Sequence, residues 1–175
     1  MQNIVYLTPN FAVTSAPTPA DFAEIARLGF KSVLSNRPDD EEQGQLDARQ
    51  SAKLAWAAGL RYRHVPTAKH DVFTDEVVEG MADALIGLPG PVLAHCKSGL
   101  RSAIVWAAAS ARSQPVDCVL EALQKGGFDL DFLRDDLDAQ ADRARWLPPS
   151  KALDCECEVL PVTSKIVVSK TGTAG

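Results

Sequence analysis

The stretch Leu93-Ala94-His95-Cys96-Lys97-Ser98-Gly99-Leu100-Arg101-Ser102 decides how this 175-residue chain is read. Residues 92–95 form a short apolar run of strand type. Residues 102–111, with Ile104, Val105, Trp106 and several alanines, read as a buried helix. A strand that delivers a cysteine into a tight glycine-containing loop, with a helix following at once, makes an anion cradle. The loop N–H groups and the helix N-terminus all point inward. The same positive field favours a thiolate at Cys96. Arg101 offers a planar fork suited to two oxygens of an anion. The predicted anion loop is therefore Lys97, Ser98, Gly99, Leu100, Arg101 and Ser102, around a nucleophile at Cys96. The Ser102 hydroxyl is expected to donate to the sulfur, and His95 to orient the loop from behind through its ring N–H.

Outward from this loop, short apolar runs alternate with amphipathic stretches. Strands are predicted at residues 4–7, 11–14, 31–34, 62–65 and 92–95. Helices are predicted from a Thr18 cap to Gly29, from 47 to 58, from a Thr74 cap to 88, from 102 to 111, and near 115–125 and 130–146. Strands interleaved with helices imply an α/β fold: a central, mostly parallel sheet flanked by helices in three layers. Ligands of such sheets gather at the carboxyl ends of the strands. Three loops leave those ends, after Leu34, after Val65 and after His95. Residues 1–147 are expected to form one catalytic domain, and residues 148–175 a poorly ordered tail or linker.

Composition narrows the function classes. The formal net charge is −5, so nucleic acid and anionic membranes are not expected partners. No run is long enough for a membrane helix, and no signal peptide opens the chain, which suggests the cytoplasm. Four cysteines without a C-x-x-C pair, and three histidines, make a metal site unexpected. No cofactor fingerprint is seen. Cys118 is expected in the core, and Cys155 and Cys157 in the tail.

The cysteine segment resembles the signature of cysteine phosphatases, H-C-x5-R-S/T, and also the active loop of rhodanese sulfurtransferases, C-x-x-G-x-R. Four residues lie between Cys96 and Arg101, the rhodanese length and one short of the phosphatase one. His95 is a phosphatase trait. The region from Leu7 to Ala111 is similar to the phosphatase-like domain of beta-lactamase hydrolase-like proteins. The similarity rests on Leu7-Thr8-Pro9, Thr18-Pro19-Ala20-Asp21-Phe22, Gly29-Phe30, Asn36-Arg37-Pro38-Asp39 and the cysteine loop. It implies a dual-specificity-phosphatase-like fold. It also implies a link to sulfide oxidation, with a fused or associated sulfide-oxidising enzyme as partner.

Further site residues follow from the other two loops. Asp71 is the candidate general acid, with His70 beside it. Asn36 is expected to brace the backbone next to the cysteine loop. Arg37 is expected either to add charge for an anionic substrate or to form an ion pair with Asp39, Asp40 or Glu41. The run Asp39-Asp40-Glu41-Glu42 reads as solvated surface. The leading expectation is a sulfurtransferase in which Cys96 becomes a persulfide. The first alternative is a phosphatase of tyrosine or dual-specificity type, working through a Cys96 phosphocysteine. The second is a persulfide-binding or redox-sensing module without turnover. The substrate is a small sulfur-containing or phosphorylated anion in either enzymatic case.

Overall fold

The computed structural model describes residues 3–145. In chain order the elements are β1 (Val5–Thr8), β2 (Phe11–Thr14), α1 (Asp21–Arg27), β3 (Ser32–Ser35), α2 (Ala48–Ala57), β4 (Arg61–His64), α3 (Asp75–Gly87), β5 (Val92–His95), α4 (Leu100–Ala111), α5 (Val116–Lys125) and α6 (Arg134–Ala144), the last preceded by a 3₁₀ turn, Asp131–Leu133. The strands form one sheet in the order β1-β2-β5-β3-β4. Among the described residues only the β1–β2 hairpin is antiparallel; β2–β5, β5–β3 and β3–β4 are parallel. The expected α/β class and largely parallel sheet are what the chain adopts.

Strand side chains alternate between two cores, as the period of two requires. Val13, Leu34 and Ala94 face the core under α3 to α6, which also contains Phe11, Met81, Val105, Leu123 and Leu137. Ala12, Val33 and Leu93 face the opposite core with Phe22, Ile25, Phe30 and Leu60, under α1 and α2. A sheet with helices on both faces is the three-layer arrangement expected.

The register matters most for function. Thr14 pairs with His95, His95 with Ser35, and Ser35 with His64. The carboxyl ends of four strands therefore lie in one row, and the loops at 36–47, 65–74 and 96–99 leave it side by side. Behind them α4 is buried along almost its whole length, from Arg101 through Ala111 with only Ile104 partly exposed. Its alanines let β2, α3, α5 and α6 pack closely round it.

Helix termini differ from the sequence expectation in ways that have local causes. Thr18 does not cap α1. Its backbone N–H and hydroxyl both donate to the Asp21 carboxylate, at 2.7 and 2.8 Å, and the helix starts at Asp21. Thr74 does not cap α3 through its side chain either, because its hydroxyl donates to the Asp71 carbonyl at 2.9 Å. Asp47 makes a full capping box with Gln50 at the start of α2. The helix expected over 130–146 begins as the 3₁₀ turn and becomes α-helical only at Arg134. Trp146, Cys155, Cys157 and the predicted 148–175 tail lie outside the described residues. Cys118 is partly buried on α5.

Candidate active site

Cys96 follows the last residue of β5 and is buried, at 1% exposure. Gly99 adopts φ 93, the left-handed conformation that only glycine takes without strain. A Cβ at this position would sit 3.2 Å from the Thr14 carbonyl oxygen, a tight contact with β2 that adds to the conformational preference for glycine. This turn leaves four residues, 96–99, between β5 and α4. It brings the Gly99 N–H to 3.1 Å from Cys96 Sγ and starts α4 at Leu100, two residues earlier than expected. Lys97 and Ser98 are exposed, and Leu100 is 42% exposed at the mouth.

The early start of α4 changes the place of Ser102. It already lies inside the first helical turn, fully buried, and its hydroxyl has no hydrogen-bond partner. The sulfur takes the Gly99 N–H instead of the Ser102 hydroxyl that was expected. His95 likewise does not hold the loop through its ring, since neither ring nitrogen has a hydrogen-bond partner. Burial pushes its pKa down to about 4; the Cys96 backbone partly offsets this without reaching hydrogen-bond geometry, and the charges of His64 and Arg37 add to the depression. His95 is thus a neutral ring at physiological pH.

Asn36 links the loops. Its N–H donates to the His95 carbonyl at 2.8 Å, its side-chain amide donates to the Val65 carbonyl at 3.1 Å, and its carbonyl accepts from the Thr67 N–H at 3.1 Å. Arg101 docks on the same knot. Its Nη1 donates to the Thr67 carbonyl at 3.0 Å, with the Asn36 carbonyl at 3.5 Å, and its Nη2 donates to Glu41 Oε1 at 2.5 Å. These bonds engage both Nη groups and hold the guanidinium in place, with the Glu41 carboxylate on Nη2.

The acidic run is exposed, as the sequence suggests, and two of its carboxylates also pair with cations of the site. Asp40 turns the chain at φ 60, a conformation aspartate tolerates, and folds the run back over the site. Arg37 Nε then donates to Glu41 Oε2 at 3.0 Å, and Arg37 Nη2 to Glu42 Oε2 at 2.6 Å. Lys97 Nζ lies 3.3 Å from the same Glu42 oxygen. Burial alone would raise the Glu41 pKa, but hydrogen bonds from Arg101 and Arg37 outweigh it and hold the carboxyl below its ordinary value. Hydrogen bonds from Arg37 and Lys97 do the same for Glu42. Of the acids considered as partners for Arg37, Glu41 is the one engaged; Asp39 instead accepts from the Ala48 N–H at 2.8 Å. Asp71 is exposed on the loop after β4, whose Thr67 anchors Arg101. Glu42 and Thr67 are the site residues that sequence reasoning missed, as was the bond from Arg101 to Glu41. The usable signal was Glu41 four residues after Arg37, in a loop leaving the same sheet edge as a cationic loop.

Comparisons with known proteins point the same way as the geometry. A family model described as beta-lactamase hydrolase-like protein, phosphatase-like domain, matches residues 3–113. A beta-lactamase hydrolase-like protein of Xylella fastidiosa is 36% identical over 106 residues, which are 59% of this chain and 24% of that protein. This chain spans about a quarter of the length of the curated relatives it matches, 23% and 24% for two of them. Among solved structures, a Neisseria meningitidis protein provisionally described as a phosphatase superposes with a TM-score of 0.67 at 32% identity, covering 78% of this chain and 97% of that one. Pseudomonas aeruginosa TpbA, in complex with pTyr, superposes with a TM-score of 0.51 at 21% identity, covering 82% of this chain and 90% of that one; this shares the fold.

Proposed function

This chain belongs to the beta-lactamase hydrolase-like protein, phosphatase-like domain family, and from that premise we propose that it is a cysteine-dependent phosphomonoesterase. The observation that carries the reading is the Gly99 N–H at 3.1 Å from Cys96 Sγ, at the start of α4, beside an arginine whose guanidinium is held by the Thr67 carbonyl and Glu41. In the first step Cys96 Sγ attacks phosphorus, the S–P bond forms, and the P–O bond to the leaving group breaks. Asp71 supplies the proton to the leaving oxygen. In the second step water attacks phosphorus, the S–P bond breaks, and Asp71 takes the proton; inorganic phosphate and the thiolate return. Arg101 and the loop N–H groups stabilise the charge that grows on the phosphoryl oxygens.

The four-residue spacing between Cys96 and Arg101 favours a second reading, the sulfurtransferase, in which Sγ takes a sulfane sulfur and passes it to a thiol. The family and the solved relatives lend it no support, nor do they support a sulfide-oxidising partner. Among the described residues, no helix is long and apolar enough to cross a membrane.

One parallel assay separates the two readings. Wild type and Cys96→Ser are given p-nitrophenyl phosphate, an aryl phosphate, or thiosulfate followed by intact-mass measurement. Phosphate release that vanishes in Cys96→Ser and weakens in Asp71→Asn is the expected result. A Cys96-dependent gain of one sulfur without phosphate release would replace the phosphatase reading by sulfur transfer.

A further inference from the structure

Arg37 and Lys97 come from different loops and converge on a single oxygen. Glu42 Oε2 lies 2.6 Å from Arg37 Nη2 and 3.3 Å from Lys97 Nζ. A carboxylate oxygen that satisfies both cations marks where an oxygen of another anion fits. The spot is tied to the cysteine loop, because Lys97 directly follows Cys96 in the chain and Arg37 shares Glu41 with Arg101.

The two carboxylates of the run differ in how firmly they are held. Glu41 is 21% exposed and bridges two nearly buried arginines, Arg37 and Arg101. Glu42 is 52% exposed, and its second partner, Lys97, is 61% exposed. Exposed ion pairs are weak and are screened by salt. An incoming anion therefore displaces Glu42 far more readily than Glu41. Charge balance favours the exchange. Arg37, Lys97 and Arg101 face Glu41 and Glu42, so removing Glu42 exposes positive charge where a second substrate anion would sit.

We propose, resting on the phosphatase reading, that Arg37 and Lys97 form a second anion subsite beside the cysteine loop, occupied by Glu42 in the free protein. The preferred substrate is then a small molecule carrying a further anionic group next to the phosphoryl group that is cleaved. Glu42 acts as a built-in competitor for that group.

The test measures calorimetric binding of inorganic phosphate and inorganic pyrophosphate to Cys96→Ser protein at fixed ionic strength. It is repeated with Lys97→Gln, Glu42→Gln, or Lys53→Gln added, the last changing net charge on the exposed face of α2. Pyrophosphate is expected to bind at least about tenfold tighter than phosphate. Glu42→Gln should widen that ratio and Lys97→Gln should narrow it, while Lys53→Gln leaves it in place. Equal ratios in all four proteins would overturn the subsite, as would Lys97→Gln and Lys53→Gln acting alike. Hydrolysis of p-nitrophenyl phosphate by the wild type is followed alongside. Its absence, with the ratios moving as expected, would remove the phosphatase reading and leave the two-anion subsite standing.

Discussion

The loop at 96–99 and the loop at 36–42 meet at Arg101, and they are made in different ways. The cysteine loop is backbone chemistry: one left-handed glycine, one N–H on sulfur, and a helix that starts immediately. The acidic loop is side-chain chemistry, with two carboxylates holding two arginines and a lysine. Backbone groups in a packed turn are already aimed before a ligand arrives, whereas ion pairs at a rim are aimed only as long as nothing competes for them. The cysteine loop is preorganised by its backbone, whereas the acidic loop holds its cations through side chains.

The sharpest way to break this comparison is to take Arg101 out of both loops. Arg101→Lys keeps the charge and loses the fork, and kcat/KM is expected to fall about a hundred- to a thousand-fold, roughly 3–4 kcal/mol of transition-state stabilisation. A loss below tenfold, measured by steady-state kinetics, would mean that charge alone matters.

The next test concerns the foundation of the cysteine loop. Burial lowers the His95 pKa from 6.5 to about 4, so between those values the folded state binds fewer protons than the unfolded one. Stability present above pH 6.5 should therefore be lost as pH falls towards 4, by up to ~3 kcal/mol. Urea midpoints from pH 7 to 4.5, with the imidazole followed by NMR, check this. An imidazole titrating near 6.5 would contradict it.

The smallest effect should come from the acidic loop. Glu41→Gln retains an acceptor for Arg101 but not its charge, and kcat is expected to fall about tenfold, ~1.4 kcal/mol, with KM little changed and the thermal midpoint nearly constant. A matching fall in the thermal midpoint would make Glu41 a structural residue and not one that positions Arg101.

How much of this was legible in the sequence follows the same division. Local signals worked where a residue type has one physical use. Gly99 after a cysteine at a strand end, the alternation of strands and helices, and Asn36 beside the cysteine loop are of that kind. They led to the sheet, the row of strand ends and the buried cysteine that follows β5. Reading failed where partners are far apart in sequence. Glu41 meets Arg101 sixty residues away, and no local pattern separates a carboxylate that folds inward from one that faces water. Ser102 and His95 show a subtler failure. Their types suit the roles assigned, but starting α4 two residues early turned Ser102 into the core, and burial left the His95 ring without partners.

The burial of α4 has a consequence for the order in which the molecule comes apart. Amides on a helix enclosed by β2, α3, α5 and α6 reach water only through opening of the whole domain, whereas rim loops open by themselves. Hydrogen exchange should thus report α4 among the slowest segments and residues 39–45 among the fastest. In warming or mild denaturant the chain would lose its grip on Glu42 early while keeping the sulfur and its glycine N–H in register until the last cooperative step.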